Sequence, residues 1–302
     1  MSQLSQHPAD EGSPADALAP GTGIGTRTGT GTGTGHDRAP HWQQDELDLR
    51  NRLYGRAGVA RAEGVLLRRY GLGSADEAFT LLKGVSQRFN IKLSTLADAV
   101  VRTPAPDEDA QLWFPRRARP GQPGLPGLPV EPDSGVSQGA VVKAVLQRVL
   151  SITQTSMGNV QLAESGRLRL VRHTGLNKYF TDFFAFVDAP TTACSQAAAE
   201  RRQVTVRDVA TAEVFDAASR HAILQTGSRA AHSLPLVNRV GVPLGMVSSH
   251  HERPLTDLTH AQLAALRQTG LDVGRWLAWH WNTVVLDALE QLHATAGRGA
   301  RR

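Results

Sequence analysis

Apolar residues recur at helical spacing in three runs between Gln44 and Val101. The first, from about Gln44 to Tyr70, carries Val59, Ala62, Leu66 and Tyr70 on one side and meets Gly71, which suits the left-handed residue just past a helix. Ser74-Ala75-Asp76-Glu77 reads as a capping box, with Ser74 accepting from the Glu77 amide and the Glu77 side chain reaching back. A second helix therefore starts there, with an apolar stripe of Ala78, Phe79, Leu82, Val85 and Phe89, and Asn90 suits its left-handed end. A short third helix places Leu93, Leu96, Ala97, Val100 and Val101 on one face.

From Gln138 onward the period changes. A helix over about Ala140 to Thr153 leads into the apolar run Gly158 to Ala163, the turn Glu164-Ser165-Gly166-Arg167 and a second run from Leu168 to His173, which together predict a β-hairpin. A strand near Val204 to Val206, a hairpin pairing 233–237 with 242–249 across Gly241, and a long closing helix from about Thr259 to Leu292 complete the pattern. An antiparallel sheet flanked by helices is an α+β domain. The closing helix carries Leu263, Leu266, Gly270, Val273, Leu277, His280 and Val284 at three- and four-residue steps, with Trp276, Trp279 and Trp281 nearby. Such a stripe can bury itself on its own sheet or on a second copy of the chain.

The flanks read differently. Residues 1–40 are rich in Gly, Thr, Ala and Pro, with a Gly-Thr alternation from Gly21 to Gly35, and offer no apolar face, so disorder is expected. Repeated prolines from Pro104 to Pro132 predict a semi-extended linker over 103–137, in which Trp113 and Phe114 are either docked on a neighbour or merely tolerated. The expected organisation is thus multidomain: a disordered start, an all-α three-helix bundle over 41–102, the linker, an α+β domain over 138–292 and a basic tail over 293–302. The 40% hydrophobic and 20% charged content suits a globular protein, and no apolar run approaches the roughly 20 residues that span a bilayer. Cys194 is the single cysteine, which excludes an intramolecular disulfide; the first residues lack the order of a signal peptide, so a cytoplasmic protein is expected. The net charge of +5 is compatible with a polyanionic partner, although Arg116, Arg117, Arg119, Arg298, Arg301 and Arg302 also suit solvated segments.

Candidate chemistry concentrates in the helical bundle. Arg61 and Arg68 are seven apart and share a face of the first helix, Arg69 lies on an adjoining one, and Lys83, Arg88 and Lys92 gather near the second helix and the turn into the third. Structured RNA is bound through its phosphates and through unstacked loop bases. The same charges also suit the solvated surface of a small bundle, and Glu63, Asp76, Glu77 and Asp98 dilute the patch. The segment from about Arg52 to Arg102, with Arg56, Val59, Ala62, Gly64, Val65, Leu66, Ala78, Phe79, Leu82, Lys92, Leu93 and Ala97, resembles the ANTAR domain of bacterial antiterminators. It departs at Ala60, where a glycine is common, and at Arg68, where an acid often stands. The resemblance implies binding of tandem RNA stem-loops, with Lys92 the leading contact and Arg68, Arg69, Arg88, Arg61 and Lys83 beside it. An ANTAR-like bundle serving only as a protein-interaction scaffold stays open as the alternative.

The C-terminal pattern resembles GAF sensor domains through Met157 to Leu162, Gly166-Arg167-Leu168, Phe183-Phe184, Ala193-Cys194, Val206 to Val209, Arg229 to Leu236 and Gly245 to His250. Ser195 stands where relatives carry glycine. The resemblance implies a small-molecule pocket, with Phe183, Phe184, Cys194 and Met246 as candidate lining residues, and leaves the ligand and any cofactor unknown. Cys194 reads as a small packing residue or an adduct-forming thiol. His250 and His251 point to opposite sheet faces and cannot easily share a metal ion, so no metal is expected. No phosphate loop, nucleophile elbow or carboxylate-histidine signature argues for an enzyme. Output precedes sensor here, and after such a linker coupling is expected to run through direct docking or a homodimer, to which family behaviour points.

Overall fold

The computed structural model describes residues 41–107, 110–130, 136–187 and 192–299, which lie within one compact unit from Arg38 to Arg302. The predicted disordered segment 1–40 and residues 300–302 of the predicted tail lie outside the described residues.

Helices α1 (His41–Tyr70), α2 (Ala75–Arg88) and α3 (Leu93–Arg102) take the places their apolar spacing predicts. Gly71 at φ 64° and Asn90 at φ 49° turn the chain out of α1 and α2 in the left-handed conformation. Ser74 Oγ accepts from the Glu77 amide at 3.2 Å, but the Glu77 carboxylate reaches one residue beyond the expected partner and accepts from the Gly73 amide at 2.9 Å. The α2 stripe is narrower than predicted. Ala78, Leu82 and Val85 are buried, whereas Phe79 is 39% exposed. Residues 78, 82 and 85 step by four and three and already fill the seam, and position 79 lies about 100° round the helix from 78.

Helix α4 (Gln138–Thr153) precedes the hairpin of β1 (Met157–Glu164) and β2 (Arg167–Thr174). The sequence pattern did not single out α5 (Lys178–Phe183), β3 (Phe186–Val187), α6 (Ala193–Glu200) or α7 (Ala217–Gln225), each too short for periodicity to stand out. Ser195 has a local role: its hydroxyl accepts from the Thr192 amide at 3.1 Å and completes a capping box at the start of α6. Strands β4 (Val204–Val206), β5 (Ala230–Val237) and β6 (Pro243–His251) complete one antiparallel sheet in the order β3-β2-β1-β6-β5-β4.

The sheet separates two cores. Val160, Leu234, Leu236 and Val247 face α4 and helix α8 (His260–His280), where Val145, Leu266 and Trp276 are buried. Met157 and Met246 face α5, α6 and α7 with Phe180, Phe184 and Phe215. Leu266, Gly270, Val273, Leu277 and His280 are all buried. Most of the closing stripe thus packs within its own chain. At Gly274 the approach to β5 is closest: a Cβ there would fall on the Val237 carbonyl group. Gly274→Ala is therefore expected to lower the urea midpoint, because an overpacking cost of about 1–3 kcal/mol exceeds the roughly 1 kcal/mol that alanine gains in a helix. A raised midpoint would contradict this packing.

The closing helix runs further than expected. After α8 comes a π-helical turn, Trp281–Val285, and then α9 (Leu286–Gly299). Val285, Ala288, Leu289 and Leu292 are buried in one cluster with Leu66, Leu82, Leu96 and Val100 of the N-terminal helices. The three-helix bundle thus has a fourth wall supplied by the far end of the chain. Residues 293–299, expected to form part of a free basic tail, continue this helix, with His293 and Ala296 buried.

The proline-rich segment is docked. Trp113 is buried in the helical core, its indole donating to the Pro104 carbonyl at 2.9 Å, and the Trp113 and Phe114 amides donate to the two Glu290 carboxylate oxygens at 2.9 and 3.0 Å. Arg117 pairs with Asp287, and Leu128 and Val136 join the core under α4. Prolines forbid a helix here, but the apolar side chains between them remain free to bury themselves.

Candidate nucleic-acid interface

The two modules are joined by side chains that periodicity alone does not single out. Asp98, 4% exposed, accepts from the Ser165 amide at 3.0 Å and its hydroxyl at 2.7 Å, so a carboxylate of α3 caps the β1–β2 turn. Its other oxygen pairs with Arg102 Nε at 3.0 Å. At the other end of α1, Arg50 donates to the Phe183 carbonyl at 2.9 Å, and Tyr54 meets Phe186 edge-on at 5.3 Å. The helices are therefore held in one orientation on the sheet.

Arg61, Arg68, Lys83 and Arg88 are exposed, and none forms an ion pair among the described residues. Arg68 and Arg88 lie in the last turns of α1 and α2, where a cation also complements the carbonyl end of the helix. Arg69 is committed inward: its guanidinium lies 4.7 Å from the centre of the Trp113 ring. Lys92 is the N-cap of α3, and its side chain, a donor only, makes no capping hydrogen bond. The residue is exposed, yet its ammonium is partly enclosed; that enclosure, followed by the neighbouring Arg169, lowers its pKa, which Glu164 partly opposes. Two of the four diluting carboxylates are occupied, Asp98 in the joint and Glu77 on Gly73. Phe79, expected in the α2 stripe, stands exposed one turn before Lys83, and Val101, expected on the apolar face of α3, is exposed as well. The steps of four and three through Ala78, Leu82 and Val85 already complete the α2 seam without Phe79.

Comparison with known proteins bears on this surface. The ANTAR domain model matches residues 47–101. Residues 47–101 are an ANTAR domain. Such domains occur in RNA-binding antitermination regulators. The C-terminal module is similar to the GAF domain from an Acinetobacter phosphoenolpyruvate-protein phosphotransferase, at 14% identity and a TM-score of 0.40 over 48% of this chain and 84% of that one. It is also similar to a GAF domain/HD domain protein from Geobacter sulfurreducens, at 17% identity and 0.40 over 46% and 91%. A third similar structure is the blue-light absorbing PixJ GAF domain of Thermosynechococcus elongatus, at 13% identity and 0.38 over 46% and 83%. No curated protein sequence matches the chain. The ANTAR domain is therefore the part of the molecule with a family assignment, and its basic residues carry the functional question.

Within the C-terminal module, Phe184 and Cys194 line an internal pocket with Asn159, Gln161, Ser248 and His250, whereas Phe183 and Met246 pack beside it. Packing of Phe180, Phe184 and Phe215 leaves about 20 Å³ free, room for a single water. Cys194 Sγ lies 3.0 Å from Ser248 Oγ, and burial pushes the thiol pKa up, away from the reactive thiolate. His250 sits between Ser228 Oγ and Asn159 Oδ1, each at 3.0 Å, and burial lowers its pKa to about 3. Among the described residues, no three His, Cys, Asp or Glu side chains gather as a metal site, and no helix is long and apolar enough to cross a membrane.

Proposed function

We propose that this chain is a cytoplasmic RNA-binding regulator of transcription antitermination, whose ANTAR domain holds tandem stem-loops while the docked C-terminal module acts as a sensor. The observation that carries the reading is the set of exposed cations Arg61, Arg68, Lys83 and Arg88, none of them ion-paired among the described residues, together with exposed Phe79 one turn before Lys83. Cations neutralise phosphate and release counterions, and an aromatic face stacks an unpaired loop base. No bond need be made or broken: moving a transcript between a paired-hairpin fold and a terminator takes a differential affinity of a few kcal/mol, on the order of a thousandfold. Lys92, at the start of α3 and lining the crevice beside the sheet, is the fifth cation of the reading.

Filter binding of the full chain to a tandem-hairpin RNA tests this. Affinity is expected to fall steeply with added salt, and the triple variant Arg68→Ala, Lys83→Ala, Arg88→Ala should flatten the slope of log affinity against log salt by about one per lost phosphate contact. Phe79→Ala should weaken binding by about 1–3 kcal/mol with the salt slope unchanged, as loss of a stacked base would. Absence of binding at low salt in every oligomeric state would sink the proposal. It would favour the scaffold reading, for which Leu49 and Leu53, exposed one turn apart on α1, supply an apolar contact.

A further inference from the structure

We propose that the crevice between the ANTAR domain and the sheet is a binding site for a small carboxylic acid with an apolar body. The crevice holds about 270 Å³ and lies between the start of α3, the β1–β2 hairpin and the junction of α8 with the π-helical turn. The internal pocket of the sensor module, by contrast, offers about 20 Å³ and no acidic or basic side chain other than the largely neutral His250. A signal molecule larger than water finds room at the joint.

The charges of the crevice do not balance. Lys92, Arg102 and Arg169 line it against Asp98 and Glu164. Asp98 is taken by Arg102 and Ser165, and Glu164 is paired with Arg169, which leaves Lys92 without a counter-charge among the described residues. An independent observation points to the same place. His280 lines the crevice, is 4% exposed, stacks on Trp276 at 5.1 Å and makes no hydrogen bond to any described residue. Its ring nitrogens are not sealed from solvent, so they offer an occupant of the crevice a hydrogen-bonding partner without first breaking a bond within the protein. One unmatched cation and one neutral imidazole suit a single carboxylate. A dianionic phosphate ester would leave a charge uncompensated beside Asp98 and Glu164. Leu244, Leu277 and Trp281 give the occupant's body an apolar wall.

Regulation follows if the reading of Lys92 as an RNA contact holds, on which this step rests: an acid bound at Lys92 competes with phosphate for the same ammonium group. Titration calorimetry of the full chain with phenylacetate, against the neutral phenylacetamide, tests the site without RNA. Phenylacetate should saturate, with the amide bound at least about tenfold more weakly, the difference expected of a charge-assisted contact. Lys92→Gln should erase the preference for the acid, and Val242→Trp, at the exposed rim, should weaken both by filling the space. Equal binding of acid and amide, no saturation by phenylacetate, or acid binding unmoved in both variants would overturn the site. Filter binding in the presence of phenylacetate reads the second step: weakened RNA binding supports competition, and unchanged RNA binding with the acid bound removes Lys92 from the RNA surface while leaving the site intact.

Discussion

Acidification from pH 7 to pH 4.5 is expected to remove most of the stability of the C-terminal module. Three of its histidines are held uncharged by burial, His250 with its pKa lowered to about 3 and His232 and His280 to about 4. In the unfolded chain each protonates near the ordinary histidine value of about 6.5. Between that value and the folded ones the unfolded state binds more protons, so stability falls as the pH drops below about 6.5 and levels off only below the folded values. Each histidine contributes about 2–3 kcal/mol of loss at pH 4.5, and the three together rival the roughly 5–15 kcal/mol that holds a domain folded. Guanidinium denaturation followed by circular dichroism at half-unit pH steps measures this. The slope of free energy against pH should correspond to uptake of nearly three protons on unfolding. His232→Gln should reduce it by one, since its ring now bonds Thr205 Oγ1 at 2.8 Å and Gln203 Oε1 at 2.9 Å without taking a charge. A stability flat from pH 6.5 to 4.5 would mean these rings reach solvent.

Leu289→Ala is expected to destabilise the ANTAR domain by about 2–5 kcal/mol, although residue 289 lies far outside its sequence. Leu289 is fully buried among Leu82, Leu96 and Val100, and shortening it opens a cavity on the side of the bundle that α9 covers. Hydrogen exchange should show amides of α2 and α3 losing protection together with those of α9, and RNA affinity should fall with every basic residue intact. If the ANTAR helices formed a self-sufficient bundle, the loss would stay within α9 and the exchange of α2 would be unchanged. The Trp113 and Phe114 amides on Glu290 pin the proline-rich segment to the same helix, so Glu290→Gln should release that segment at a smaller cost.

Local signals marked most of the secondary structure. Gly71, Ser74 and Asn90 punctuated the helices, and the apolar runs Gly158 to Ala163 and Leu168 to His173 about the turn at Ser165-Gly166 marked the first hairpin. These features depend on neighbours within a few residues, and backbone sterics and capping act at that range. The basic residues were visible as a set, but their exposure was not. Arg69 and Arg68 are adjacent in the chain, yet one lies against Trp113 and the other faces solvent, a difference made by a segment more than forty residues downstream.

By itself, the sequence determined the three ANTAR helices, the α+β character of the C-terminal half and the concentration of positive charge near residues 61–92. Only the tertiary structure decided that α9 completes the ANTAR core, that most of the closing stripe packs on its own sheet, and that Asp98, Lys92 and His280 meet around one crevice. The physical reason is range: periodicity and capping report which face of an element is apolar, whereas the surface that covers that face is selected by packing between segments far apart in the chain, such as those of Tyr70 and His293, 223 residues apart.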